Sequence, residues 1–459
     1  MLFGIMRSSV ARSCHVILLG SNFPSSASPF RPAYPYLRNS CRQKTVCHVV
    51  VDSGSSSFST TADLVSKYGV EKYEEEDQHY SKLKQESQHL VKQASFKVRG
   101  SKHHSKLRRR HISIVCDAIQ AGLRGKKGTL YSKKNTEHYS NNPCKATQKL
   151  IADLGGVGAN MGIMPDFSNP QALRGYALSH FGRARLLSDL VTQSKPDWLV
   201  NKVSNVFPSE ASDNENSPNN DEHVITVASL GGGCGYDFVA LASMSEFLGA
   251  PRIKATVYEY EPAWKDVLAD VEGAIQDVFA PDNNSNTQNP KPHTCGFESC
   301  DITLPLDASP NQALASMVGS TQIFACSYVV AENAVALRRN NYEFFRQLFA
   351  EAANGSLFFF AETTHRLWPD FIDLARTIGS TSSSCMRIAI PHIRCGKNGH
   401  QLALLKDSVD AMTSYAHDED DDQLQQKLYE RFQTDNTAHL SRLDRGWKRD
   451  ERKVRGAKE

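Results

Sequence analysis

A mixed α/β fold with a mostly parallel sheet is predicted for the second half of the chain, on three observations. Strand-like apolar runs alternate with helix-length segments from His223 to Lys406. The first strand ends in a run of glycines directly before a helix. The last two strands bracket the turn Gly396-Lys397-Asn398-Gly399, which makes them an antiparallel hairpin. Strands joined through helices imply right-handed crossovers and parallel neighbours.

The elements follow in order. His223–Leu230 reads as a strand, Tyr236–Leu248 as a helix, Ile253–Tyr258 as a strand and Ala263–Phe279 as a helix. A polar insert, Pro281–His293, precedes a short strand ending near Cys300. Gln322–Val330 is the fourth strand, Tyr342–Asn354 a helix, Ser356–Ala361 the fifth strand and Pro369–Ile378 a helix. Met386–Arg394 and Gln401–Leu405 complete the sheet, giving seven strands.

A helical extension precedes this domain. Ile112, Val115, Ile119 and Leu123 lie at helical spacing, a second helix starts near Asn142-Pro143, and a third runs from Gln171 to Val191 with Leu173, Tyr176, Ala177, Phe181, Ala184, Leu187 and Val191 on one face. The organisation is then a targeting or unstructured segment at 1–60, the extension at 61–208, a polar acidic linker at 209–222, the α/β domain at 223–406 and a charged tail at 407–459.

Charge is patterned although it nearly cancels. The 459 residues carry a formal net charge of +3 with 40% hydrophobic content. No run approaches the roughly 20 apolar residues that a spanning helix needs, so no membrane span is expected. The first acidic residue is Asp52, after a Ser- and Arg-rich stretch. That composition suits an organelle transit peptide, with mitochondrion the leading address; a signal peptide or a plain tail, and a cytoplasmic or nuclear location, are the alternatives. A basic block (Lys97, Arg99, Lys102, Lys106, Arg108, Arg109, Arg110) offers phosphate affinity, or is simply a solvated charge run. The 11 cysteines are scattered without a Cys-x-x-Cys, and neither a disulfide framework nor a metal site is expected.

The chemistry lies in Ser229-Leu-Gly231-Gly-Gly233-Cys-Gly235-Tyr236-Asp237. Glycines at alternate positions after a strand permit a sharp turn and let a ligand touch backbone at a helix N-terminus. A dinucleotide fingerprint would need a further glycine where Tyr236 stands, and no Gly-Lys-Ser/Thr phosphate loop follows. The second strand ends at Glu259, an acid placed to accept ribose hydroxyls. The third ends in Asp301 and Ile302, suited to an adenine amino group and ring.

With these motifs the segment from His223 to Lys406 resembles class I S-adenosylmethionine-dependent methyltransferases. The resemblance implies a Rossmann-like fold with a terminal antiparallel hairpin and S-adenosyl-L-methionine as cofactor. It also implies that Gly231, Gly233 and Gly235 form the methionine-side loop, that Glu259 is the ribose acid, and that Asp301 with Ile302 contacts adenine. Members of that superfamily often carry an acid two residues before the first glycine; here the residue is Ser229. The fourth strand tip, Ser327-Tyr328-Val329-Val330-Ala331-Glu332, and Gly355 before the aromatic fifth strand also resemble ribosome-associated methyltransferase-like proteins.

Ligands of such sheets bind at the carboxyl ends of the strands, so this tip should face the acceptor. Glu332 is the expected base and Tyr328 an expected pocket residue. Three readings follow. The first is an RNA methyltransferase, acting on ribosomal RNA or at a ribosomal subunit, with Lys106, Arg108, Arg109 and Arg110 as the nucleic-acid contact. The second is a methyltransferase for a protein or small molecule, with the Tyr176–Arg185 helix covering the cofactor. The third is a non-catalytic relative that binds RNA or ribosomes.

Overall fold

A computed structural model of the chain describes residues 78–94, 102–125, 145–154, 165–191, 196–208, 224–280, 292–362, 367–379, 384–390, 401–410, 423–434 and 437. The N-terminal segment, the linker 209–222, residues 281–291 of the insert, the turn 396–399 and most of the charged tail lie outside them. All described residues fall within one unit, Thr60–Glu459.

Seven strands form one sheet: β1 (Val224–Leu230), β2 (Arg252–Glu259), β3 (Thr294–Ser299), β4 (Ile323–Ser327), β5 (Leu357–Ala361), β6 (Ser384–Ala389) and β7 (Gln401–Ser408). Their order is β3-β2-β1-β4-β5-β7-β6. The first five strands run parallel, and β7 lies antiparallel between β5 and β6. This is the sheet expected from the sequence, and its order reverses between β1 and β4, where such sheets open a crevice.

Six helical stretches lead into the sheet: α1 (78–94), α2 (Lys102–Gly125), α3 (Lys145–Leu154), α4 (Pro170–His180), α5 (Gly182–Val191) and α6 (Asp197–Val206). Within the domain come α7 (Tyr236–Leu248), α8 (Trp264–Phe279), α9 (Gln312–Met317), α10 (Ala334–Arg339), α11 (Glu343–Glu351) and α12 (Trp368–Gly379). A last helical stretch, α13, covers residues 423–434.

The period of two along each strand sorts the core into two layers. Ile225, Val227, Ile253, Ala325 and Phe359 face one side, packed with α7 and α8 and with Val115, Leu173, Phe181 and Leu187 of the extension. Ala228, Leu230, Phe324, Phe358 and Phe360 face the other, packed with Phe345, Phe349 and Phe371. The extension therefore completes a layer of the sheet. Phe345 is fully buried, its ring 4.8 Å from Phe371 and 6.0 Å from Phe360. Phe345→Ala is expected to cost about 3–5 kcal/mol of stability, read as a lowered urea midpoint at unchanged slope.

Three details differ from the sequence expectation. The segment 171–191 is two helices rather than one: Asn169 caps the first through its side-chain oxygen, Pro170 starts it, and the helix ends at Phe181. The fourth strand stops at Ser327, not Val330, because Tyr328 turns left-handed at φ 65°. The basic block is only partly a solvated surface. Arg108 is 6% exposed and meets Asp189 of α5 at 3.3 Å, because its stem lies in the interface between α2 and the domain. Lys106, Arg109 and Arg110 stay exposed, with Arg109 3.5 Å from Asp189 and Arg110 paired with Glu86.

Candidate functional site

The glycine loop is built by backbone conformation. Gly231, Gly233 and Gly235 have φ of 61°, 50° and 87°, a region that other residues enter only with strain. Side chains would also collide there: a Cβ at Gly231 would lie 2.4 Å from Val329, and one at Gly235 would lie 2.5 Å from Leu268. The loop lies at the carboxyl end of β1 and passes straight into α7, with Gly235 as its N-cap.

Tyr236 shows what stands in place of a dinucleotide glycine. Its ring meets Phe181 edge-on at 5.4 Å, and its hydroxyl donates to the carbonyls of Tyr176 and Ala177 on α4. The extension is thus fastened to the start of α7.

Glu259 closes the loop from the tip of β2. Its Oε2 accepts the Gly233 N–H at 3.0 Å and its Oε1 the Tyr260 N–H at 2.9 Å. Burial raises its pKa, while the backbone N–H groups of Glu261, Gly233 and Tyr260 pull it back. Asp301 follows β3, accepting the Thr303 N–H at 2.8 Å and hydroxyl at 2.6 Å, with Ile302 buried beside it.

Gly231, Gly233, Glu259, Asp301 and Ile302 line one cavity of about 440 Å³, and Gly235 shapes the loop from behind it without lining it. That is within the range typical of small-molecule and cofactor sites. Its walls also include Trp264, Tyr328, Glu332, Tyr176, Arg183 and Asp237. The sequence-predicted cofactor residues other than Gly235, and both acceptor-side residues, therefore share one pocket. Lys106, Arg108, Arg109 and Arg110 are not part of its lining.

Arg183 marks the wall contributed by the extension. Its guanidinium lies 4.2 Å from the Tyr328 ring centre and 5.4 Å from that of Tyr176, and it donates to the Tyr176 hydroxyl at 2.7 Å. Glu332 sits in the turn after β4, and burial pushes its carboxyl up to about 8; Arg183 opposes that rise, and Glu362 and Glu259 add to it. The turn is shaped by Glu362, just past β5, whose Oε1 accepts the Val330 N–H at 2.6 Å and the Ala331 N–H at 3.2 Å. Tyr328 is fixed by its own N–H, which donates to the Ala361 carbonyl at 2.8 Å.

Glu362, Trp264 and Asp237 escaped the sequence reading. Trp264 opens α8 five residues beyond Glu259, an aromatic after the ribose acid that could have been noticed. Glu362 had no local signal, since its partners lie about thirty residues earlier. Among the described residues, no group of three or more His, Cys, Asp or Glu side chains is arranged to hold a metal. No described helix is long and apolar enough to cross a membrane.

The pocket fits the cofactor that the resemblance implies. Its loop offers bare backbone where side chains would collide, an acid stands at the tip of β2, and three acids (Asp237, Glu259 and Glu332) suit a cationic ligand.

No protein-family profile matches the chain, and no curated protein sequence does. Solved methyltransferase structures are similar to it at low identity. A TehB-like SAM-dependent methyltransferase from Corynebacterium glutamicum is 9% identical, covering 52% of this chain and 100% of its own, with a TM-score of 0.28. The CMeT domain of the citrinin polyketide synthase is 13% identical, covering 64% of this chain and 67% of its own, at 0.29. A type I restriction-modification methyltransferase subunit from Streptococcus thermophilus is 8% identical, covering 72% of this chain and 85% of its own, at 0.26. The strand order and the antiparallel β7 are those of the Rossmann-like, mostly parallel sheet with a terminal antiparallel hairpin that the sequence predicts.

Proposed function

We propose that this protein transfers a methyl group from S-adenosylmethionine to RNA, with a ribosomal RNA in an organelle as the leading acceptor. The observation that carries the methyl-transfer reading is the pocket itself: a left-handed glycine loop tied to Glu259 at the switch point of the sheet. Gly231, Gly233 and Gly235 would receive the amino-acid end of the cofactor, Glu259 the ribose, and Asp301 with Ile302 the adenine. When bound, S-adenosylmethionine supplies a methyl group activated by a sulfonium for in-line displacement.

The chain's own residues then have positioning work and one proton to move. Tyr328 and Arg183 stack into a flat wall on which an acceptor ring can lie. Glu332 is the base beside that wall, its pKa raised by burial to about 8. Tyr176 and Arg183 exclude water from the side of the extension.

RNA is favoured as acceptor by the exposed cationic ridge of α2, where Lys106, Arg109 and Arg110 face solvent. The acid-free stretch before Asp52 supports the organelle location.

Two measurements test this. Calorimetry should show one site for S-adenosylhomocysteine, and no heat with either cofactor form would sink the enzyme reading. RNA retention at low salt should fall on joint replacement of Lys106, Arg109 and Arg110 by Gln, and the wild-type signal should drop steeply with added salt. Equal retention by both proteins would remove RNA and leave a protein or small-molecule acceptor.

A further inference from the structure

We infer that Asp237 supplies the negative charge for the amino group of the bound cofactor, in place of the acid that position 229 lacks. This rests on the methyltransferase reading above and extends it to a residue outside the motif.

Ser229 sits near the tip of β1, two residues before the first glycine. Its hydroxyl donates to Asp237 Oδ2 at 2.8 Å. A carboxylate is therefore present within one hydrogen bond of position 229, delivered by the second residue of α7 instead of by the strand. The contact requires glycine at position 232, since a Cβ there would lie 2.1 Å from Ser229 Oγ.

Asp237 is 1% exposed yet borders the cavity. Burial raises its pKa, the Ser327 and Ser229 hydroxyls pull it back, and its Oδ1 meets no hydrogen-bond donor at normal geometry among the described residues. An acid with a purely structural role at a helix start would cap the free amide N–H groups. Among the described residues Asp237 caps no helix N–H; the groups that meet it are the hydroxyls of Ser229 and Ser327. The dipole of α7 still favours a negative charge there.

The neighbouring acids are engaged differently. Glu259 spends both oxygens on backbone N–H groups, and Asp301 accepts twice from Thr303. A buried carboxylate oxygen left without a donor is costly, and an ammonium brings three donors and the complementary charge. The amino-acid end of the cofactor is the part that carries such a group.

The test compares two ligands that differ in that part. S-adenosylhomocysteine has the amino-acid end, and 5′-methylthioadenosine lacks it. In calorimetry on the full chain, Asp237→Asn should weaken S-adenosylhomocysteine about ten-fold or more while leaving methylthioadenosine within about two-fold. The exchange Ser229→Asp with Asp237→Ser moves the charge to the strand and should restore the wild-type ratio of the two affinities. It also gives the answer if Asp237→Asn does not fold. Equal loss of both ligands, unchanged homocysteine affinity in Asp237→Asn, or a ratio still depressed about ten-fold in the exchange variant would overturn the inference. Failure of the wild type to bind either ligand is a separate result, and it overturns the methyltransferase reading together with this one.

Discussion

Gly231→Ala is expected to weaken S-adenosylmethionine binding by about a hundred-fold or more, measured by calorimetry. Two costs add at this position. The backbone sits at φ 61°, where an alanine is strained by roughly 1–2 kcal/mol. The new methyl would also lie 2.4 Å from a Cγ and 2.7 Å from the Cβ of Val329. Valine is short and stiff at χ1, so it cannot swing aside and the backbone must move. Val329 follows Tyr328, itself left-handed, and precedes the turn held by Glu362. The displacement would therefore reach both the cofactor loop and the acceptor wall. Gly249→Ala is the control. Gly249 has φ 58° but nothing within 4 Å of a new Cβ, so it carries the same strain without the collision. It should lower stability slightly and leave binding unchanged. Equal loss in both variants would assign the effect to backbone strain alone.

Glu332→Gln is expected to lower the rate of methyl transfer by about 10²–10³-fold while leaving S-adenosylhomocysteine affinity within about three-fold. Labelled methyl incorporation into RNA reads the first quantity and calorimetry the second. In the wild type, the carboxylate form of Glu332 grows as pH rises through about 8, so the rate should climb with pH through that midpoint and level off above it. A bound sulfonium favours the carboxylate and moves the midpoint downward. The Gln variant should lose this step. Stability gives a second readout of the same group. From the ordinary carboxyl value of 4.5 up to about 8, the folded protein keeps a proton that the unfolded chain releases. Stability of the wild type should therefore fall as pH rises across that window, and Glu332→Gln should remove that contribution. Arg183, Tyr176, Tyr328, Glu259 and Glu362 are among the charged or titratable groups facing this site, and the slope that remains in the variant belongs to the protein's other titrating groups. A pH profile identical in the two proteins would remove Glu332 from the proton-transfer role.

The sheet was legible because its signals are local. Apolar runs of strand length, the glycines after β1 and the acid after β2 each lie within a few residues of one another. Glu259, Asp301 and Glu332 could be placed from such runs alone, and all three line the cavity. What escaped was set by partners far along the chain. Arg108 reads as one more surface cation until Asp189, 81 residues later, draws it into an interface. Val329 and Val330 read as strand, but Tyr328 turns left-handed before them and Glu362, beyond β5, holds the turn through the Val330 and Ala331 N–H groups. The helix 171–191 breaks at Phe181 although its apolar stripe runs on without interruption, because a stripe reports which face is buried and not whether the axis is continuous. Asp237 looks like an acid favoured by a helix dipole, and its meeting with Ser229 depends on the loop folding back over β1.

The hydroxyl of Tyr236, bonded to two carbonyls of α4, joins the sheet domain to the helices that precede it. Val115, Phe181 and Leu187 pack in the same layer as Val227 and Phe359, so the extension and the sheet are expected to unfold together. A ligand that tightens the glycine loop would also tighten the helices before it. Cutting the chain in the polar stretch at 209–222 would therefore strip one side of the sheet of its cover and yield an insoluble fragment, not a minimal enzyme.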